Sequence, residues 1–376
     1  MIIRNEDLKD ACSKILAAVD SNELSAITET LELKVVDNTL NVSVTNREYY
    51  AQVRLAVDPG INFHATVNAN LFLKLISQVT TESVELLVND NFLLVKANGT
   101  YKFPLIFDDD QLLKLPEIMI DNVTNSFNIS GKILNSLITY NSKEMLKGTI
   151  AKPVQKMYYM DQDGAITFTS GACVNEFKLD NPVRLLLNNR LVKLFKLFKD
   201  EDVRFTLGYD PISDEIVQTK VRFETDSVSV TAILACDDTL LNSVPVAGIR
   251  GRVNAEYPYS INLSKDSLIQ TINRLLLFSS GIGGKENLKP YGTFVFNKDA
   301  VTVYDADKEN SEMIYYNNSA SGVEDSYTAV IDLVDFKTTL ETCLEQYVTI
   351  KFGNGQAILV IRGTVYNVIP EVVTLG

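Results

Sequence analysis

Asn68-Ala-Asn-Leu-Phe-Leu-Lys-Leu-Ile-Ser-Gln-Val79 runs into Val84-Glu-Leu-Leu-Val-Asn-Asp-Asn-Phe-Leu-Leu-Val95, a capped helical period followed by an alternating hairpin. The same sentence returns twice. Asn188-Asn-Arg-Leu-Val-Lys-Leu-Phe-Lys-Leu-Phe-Lys199 leads into Val203-Arg-Phe-Thr-Leu-Gly-Tyr209, and Asp332-Leu-Val-Asp-Phe-Lys-Thr-Thr-Leu-Glu-Thr-Cys-Leu344 leads into Val348-Thr-Ile-Lys-Phe-Gly-Asn-Gly355. Repetition at this scale divides a long chain into similar domains before any motif is considered.

Upstream of each copy lies a further helical period. Asn5 is a plausible N-cap ahead of Leu8, Ala11, Cys12, Ile15, Leu16 and Val19, the spacing of one buried stripe. Its counterparts start at Ser130, with Ile133, Leu134, Leu137 and Ile138, and at Ser264, with Leu268, Ile272, Leu275 and Leu276. From these caps to Asn68, Asn188 and Asp332 is about 63, 58 and 68 residues, one unit repeated with loop variation. Between the helices, runs such as Leu31 to Val44 and Gly292 to Tyr304 alternate around a polar turn, as hairpins with one buried face do. Proline and polar residues interrupt the pattern near Pro116 to Asn125 and Pro245 to Pro258. The sequence therefore predicts an α+β fold of three similar domains, 1–120, 121–248 and 249–376, each with two helices packed on antiparallel sheet.

The 376 residues are 46% hydrophobic with only 10 prolines, which suits a folded chain with several cores. No apolar stretch approaches the roughly 18 residues that span a bilayer, and no basic segment followed by an apolar run opens the chain, so a soluble, cytoplasmic protein is expected. Cys12, Cys173, Cys236 and Cys343 are too scattered for a staple framework or a zinc site. His64 is the one histidine, which excludes Ser-His-Asp and histidine-rich metal chemistry and leaves it a structural residue by default. Gly281-Ile-Gly-Gly-Lys285 lacks the first glycine and the Ser/Thr of a phosphate loop, and Asp161-Gln-Asp-Gly164 lacks the closing acid of a calcium loop, so a connection and a hairpin turn are expected. No catalytic residue, cofactor or metal site is read from the chain.

A net charge of -13 argues at first against nucleic acid. The distribution is uneven. Acids crowd Asp108-Asp-Asp110, Glu201-Asp202, Asp237-Asp238 and Glu324-Asp325, whereas from Asn188 to Lys199 Arg190, Lys193, Lys196 and Lys199 oppose Leu191, Leu194, Phe195 and Phe198 with no acid among them. Solvated helix faces normally mix signs, so this one suits a polyanion. Lys9, Lys14, Lys74, Lys132, Lys143, Lys265, Arg274 and Lys337 give the other helices sparser charge, beside Asn, Ser, Thr and Gln, a composition for weak contact with phosphates and no base reading.

Val44-Thr-Asn-Arg-Glu-Tyr-Tyr50, Tyr158-Tyr-Met160, Thr169-Ser-Gly171, Arg274-Leu-Leu-Leu-Phe-Ser-Ser280 and Tyr366-Asn-Val-Ile-Pro370 stand in the order and spacing of a known family. Over essentially its whole length the chain resembles the bacterial sliding clamp, the beta-type processivity subunit of the replicative DNA polymerase. That resemblance implies a head-to-tail homodimeric ring of six domains, helices lining a hole for double-stranded DNA, and no catalysis. It implies DNA contact at Tyr158 and Tyr159, and a hydrophobic groove of Met160, Thr169, Gly171, Val174, Val368, Ile369, Pro370, Val372 and Val373 for short apolar peptides of the polymerase, the clamp loader and repair proteins. It also implies a ring joint of Leu75, Val79 and Phe103 against Leu277 and Phe278.

The chain departs from the family pattern at three places. Thr169-Ser-Gly-Ala-Cys-Val174 stands for Thr-Asp-Gly-His-Arg-Leu, Glu371-Val372 for a Met-Arg pair, and Ser21-Asn-Glu-Leu24 for a loop that commonly carries a DNA-contacting arginine. A different peptide preference follows, and the divergence suits a clamp carried by a phage or other mobile element. The competing reading is a non-catalytic repeat scaffold or virion component that never touches DNA.

Overall fold

The structure, a computed structural model, describes residues 1–19, 26–145, 152–211, 217–234, 237–279, 290–317, 326–343, 345–353, 356–360 and 364–369. Its helices include α1 (Asn5–Leu16), α2 (Ala69–Gln78), α3 (Gly131–Ser136), α4 (Asn189–Leu194), α5 (Val246–Val253), α6 (Lys265–Ser279) and α7 (Leu333–Leu340). The chain forms two compact units, Met1–Asn135 with Arg190–Cys236, and Ser136–Asn189 with Asp237–Gly376, and passes between them within α3 and α4.

In the first unit an antiparallel sheet of eight strands runs in the order Val123–Ile129, Val203–Pro211, Val217–Glu224, Val228–Leu234, Tyr49–Ala56, Thr39–Thr45, Thr30–Val36, His64–Asn68. A four-stranded sheet runs Ile2–Arg4, Ser83–Asn89, Phe92–Lys96, Thr100–Pro104. The expected hairpin between Leu31 and Val44 is present, its turn at Asp37 and Asn38 taking the left-handed φ values of 48° and 61° that match the twist of two paired strands. Leu8, Ala11 and Ile15 of α1 and Phe72 and Ile76 of α2 are fully buried as the two helices pack together. Beneath α4, Phe127, Phe195, Phe205 and Phe223 form an aromatic cluster with the Phe205 and Phe223 rings 4.6 Å apart.

The second unit has the matching pair of sheets. Eight strands run Arg184–Asn188, Met157–Asp161, Gly164–Phe168, Ala172–Glu176, Val365–Ile369, Gln356–Val360, Tyr347–Gly353, Tyr259–Ser264, and four run Ser311–Tyr315, Ala300–Tyr304, Tyr291–Phe296, Tyr327–Asp332. Its core gathers Leu268, Ile272 and Leu275 of α6, Phe336 and Leu340 of α7, and the stacked pair Phe296 and Phe352.

The threefold repetition of the sequence is a threefold repetition of connectivity. In each third, the strand before the first helix pairs with the first of three consecutive strands that follow the second helix. The strand leading into the second helix pairs with the first of three consecutive strands that lie between the helices. Each eight-stranded sheet is then two such groups joined through their last strands, Val228–Leu234 with Tyr49–Ala56 and Val365–Ile369 with Ala172–Glu176.

The caps follow the sequence at four of the helix starts. Asn68 accepts from Leu71 N, Ser130 from Lys132 N, Ser264 from Ser267 N, and Asp332 from Val334 N and Asp335 N. Asn5 does not cap. It is the first residue of α1, and its buried amide donates to Val79 O at 3.2 Å and Thr81 O at 2.7 Å, tying α1 to the end of α2. The single helix expected from Asn188 to Lys199 is also shorter: α4 ends at Leu194, and Phe195–Phe198 tighten into a 3₁₀ turn closed by Lys199 at φ 51°. Three residues per turn no longer separate two clean faces, and Val192 and Leu197 are buried alongside the four expected apolar residues.

Candidate nucleic-acid and partner surfaces

In the first unit the buried stripe of α1 leaves Lys9, Asp10, Ser13 and Lys14 on its polar arc. The turn Phe195–Phe198 packs against this helix and brings the charges of the 190–199 segment beside it. Gly131 makes the next packing contact possible, since a Cβ there would run into the backbone of Asp200, and Asn135 donates to Lys199 O and Asp200 Oδ1.

Not all of the expected cations are free. Asp10 accepts from Lys14 and Lys199, each Nζ 3.0 Å from a different carboxylate oxygen, and Arg190 lies 3.4 Å from Glu48. Partial burial by itself would raise the Asp10 carboxyl, but hydrogen bonds from the two lysines outweigh it and its pKa falls below the ordinary value. In the second unit Arg274 grips Glu312 through two 2.6 Å contacts, Lys337 lies 3.7 Å from Glu341, and Lys265 donates to Cys343 O at 3.0 Å. Among the described residues, Lys9, Lys74, Lys132, Lys143, Lys193 and Lys196 make no ion pair, and all but the half-buried Lys9 are exposed. The tyrosine pair is core. Tyr158 is fully buried with its hydroxyl donating to Asn189 Oδ1 at 3.1 Å, and Tyr159 is buried beside it on the same strand, so neither ring presents a surface to DNA.

The strands expected to build the groove are neighbours, with Ala172 opposite Val368 and Val174 opposite Tyr366. Met160, Val174 and Val368 are buried in this sheet, whereas Thr169 and Gly171 are half-buried in the turn before it. Two contacts fix that turn: Thr169 donates to Glu144 Oε1 at 2.8 Å and Ser170 to Asp335 Oδ2 at 3.0 Å. The backbone of Ile369 continues the strand, while Pro370, Val372 and Val373 lie outside the described residues, as do Ser21 to Leu24, Gly281 to Lys285 and Cys236.

The sequence does not announce α5, because Pro245, Gly248, Gly251 and Pro258 punctuate it like a linker. It packs on the strands Ala172–Glu176, Val365–Ile369 and Gln356–Val360 through Ile249 and Val253. Arg250 holds it there with a two-pronged bond to Asp161, 2.6 and 2.8 Å, near Asp163. The i, i+4 pair Ile249 and Val253 was the available signal. Beside it Asp163, Glu176, Phe177, Lys178, Arg250, Asn254 and Thr364 line a polar cleft of about 430 Å³.

Of the expected joint residues, Val79 and Phe103 are core, with the Phe103 ring edge-on to Phe72 at 5.6 Å, and Leu75 is half-buried. Leu277 and Phe278 are 69% and 51% exposed. Met313 and Tyr315 stand exposed on Ser311–Tyr315, an edge strand that α6 contacts, and Thr100–Pro104 is an edge strand in the first unit. His64 bonds Glu32 Oε1 at 2.8 Å, a structural pairing, and Asp161 to Gly164 is the expected hairpin turn. No group of His, Cys, Asp and Glu among the described residues is placed to hold a metal, and no described helix is long and apolar enough to cross a membrane.

No protein-family model matches the sequence, and neither does any curated protein. Solved structures do match, among them bacterial DNA polymerase III beta sliding clamps. The subunit from Pseudomonas aeruginosa superposes with TM-score 0.77 at 14% identity, covering 99% of both chains. The Bacillus subtilis sliding clamp gives 0.75 at 14% over 99% of this chain and 98% of its own, and a Helicobacter pylori beta clamp bound to a DNA ligase peptide gives 0.71 at 15% over 99% of each. The chain thus has the DNA-clamp fold along nearly its entire length.

Proposed function

We propose that this protein is a non-catalytic sliding clamp of three domains, 1–120, 121–248 and 249–376. Two copies close head to tail around duplex DNA in the cytoplasm and tether a replicative polymerase and other DNA-processing proteins. The observation that carries the reading is the pair of edges left over by the strand-joining rule. Inside the chain, the last strand of a group following the second helix joins the last strand of a group lying between helices. Among the described residues, Thr100–Pro104 is the one remaining strand of the first kind, and Ser311–Tyr315 the one remaining of the second. Edge strands with open backbone groups pair readily, so a copy repeating the rule on its neighbour extends the sheet and leaves neither of these two edges open at closure. Exposed Leu277, Phe278, Met313 and Tyr315 supply apolar surface at that joint.

Topological linkage lets each phosphate contact be weak, which sliding requires; unpaired Lys193 and Lys196 suit it. The H. pylori clamp's ligase peptide supports a peptide site here, built around Thr169 to Val174, Val368 to Val373 and α5, for partners including a clamp loader. The test is retention. The protein should sediment as a dimer of about twice 41.9 kDa, stay on circular duplex once loaded, and run off when the circle is cut. Equal retention on both forms removes the sliding-ring reading.

A further inference from the structure

The same carboxylate that organises the first unit's basic face also silences part of it. Asp10 lies on the polar arc of α1 between Lys9 and Lys14, and engages one oxygen with Lys14 and the other with Lys199. The Lys14 side chain is 12% exposed while it makes this contact. Lys199 is held by backbone geometry, at φ 51° where the 3₁₀ turn ends. Glu48 repeats the arrangement at the other end of the segment, opposite Arg190.

The four cations between Arg190 and Lys199 thus divide in two. The outer pair faces carboxylates from the first third of the chain, and among the described residues the inner pair, Lys193 and Lys196, faces none. A lysine already bonded to a carboxylate releases fewer counterions on meeting phosphate, because its charge is already balanced.

We propose that Asp10 is an affinity-setting residue, an internal counter-ion that withholds Lys14 and Lys199 from the DNA backbone and keeps clamp–DNA contact weak. The inference rests on the sliding-clamp reading and concerns how tightly that face holds phosphate. Removing the Asp10 charge hands two ammonium groups to the polyanion.

The experiment measures Kd of the full-length protein for a short linear duplex by fluorescence anisotropy between 50 and 200 mM salt, for wild type, Asp10→Asn, Asp10→Ser and Lys193→Gln/Lys196→Gln. Two added phosphate contacts steepen the slope of log K against log salt by about 1.8, so the advantage of Asp10→Asn over wild type shrinks about 10-fold across that range. Adding Lys14→Gln and Lys199→Gln to Asp10→Asn should return the slope to the wild-type value or below. Asp10→Ser carries the same expectation and guards against a folding defect peculiar to one variant. Unchanged slope in both Asp10 variants, with a shallower slope in Lys193→Gln/Lys196→Gln, overturns the counter-ion role and leaves the clamp reading standing. If no variant alters binding, the DNA-facing assignment falls as well.

Discussion

Replacing Arg250 by methionine keeps an unbranched stem of similar shape but removes the charge that fastens α5 to the hairpin beneath it. Two hydrogen bonds to Asp161 are lost, and a carboxylate with only 12% of its side chain exposed is left without a cation. Stranding a fully buried partner costs 3 to 5 kcal/mol and breaking a surface pair at most about 1. Arg250 is 21% exposed, so the pair lies between these limits and the loss should be about 2 kcal/mol. For a unit of this size that lowers the unfolding midpoint by about 4 to 8 °C. Thermal and urea unfolding of Arg250→Met, Asp161→Asn and the double variant measure it. The side-chain amide introduced by Asp161→Asn can still accept from Asp163 N, as the Asp161 carboxylate does at 2.9 Å, so the double variant should recover much of the loss. A single-variant cost below about 0.5 kcal/mol, or a double variant no better than Arg250→Met, would refute the claim that the ion pair anchors α5. Because α5 packs on the strands around Val174 and Val368, the single variant should also weaken capture of a ligase-type peptide without dissociating the dimer.

Lys193→Glu with Lys196→Glu should reduce DNA affinity and flatten the salt dependence by about 1.8 log units per log salt, two phosphates at 0.9 each; an unaltered salt plot would show that these lysines do not face DNA. Leu277→Asp with Phe278→Asp should turn the dimer into a monomer in sedimentation while the thermal midpoint holds, since both side chains are exposed; a persistent dimer would place the joint elsewhere. Burial pushes the Cys12 thiol up to about 12 from its ordinary 9.0. A raised folded pKa means that the stabilisation is fully present below the unfolded value of 9.0 and is lost as pH rises toward about 12. Wild type should therefore lose stability over that window more steeply than Cys12→Ala, and parallel alkaline profiles would count against the burial effect.

Much of the fold was legible because its signals are local. The hairpins around Asp37-Asn38 and Asp90 announce themselves by alternation about a polar turn, and Asn68, Ser130, Ser264 and Asp332 mark helix starts by bonds that span two or three residues. Asn5 looks the same in sequence but spends its amide on carbonyls more than 70 positions away, a partner no local window contains. The candidate site was less legible. Tyr158 and Tyr159 resemble surface aromatics as letters, yet both rings are buried in the folded unit, which no local pattern of the sequence announces. Helix α5 was hidden by its glycines and prolines, and only its packing on three strands overrides those local breakers.

By itself the sequence determined that the chain repeats one helix-and-hairpin unit three times, since periods of 3.6 and 2 are written into neighbouring residues and need no distant partner. It also determined which segment is richest in unopposed positive charge. Tertiary structure alone decided how much of that charge is available: Asp10 reaches Lys199 across 189 positions and Glu48 reaches Arg190 across 142, contacts of about 3 Å that depend on how α1 and the strands are folded back on the 190–199 segment. It decided too which strands meet as pairs and which are left as edges, because hydrogen-bond pairing between distant strands is a property of the assembled sheet, whereas alternation along one strand is the same whether it lies inside a sheet or at its border.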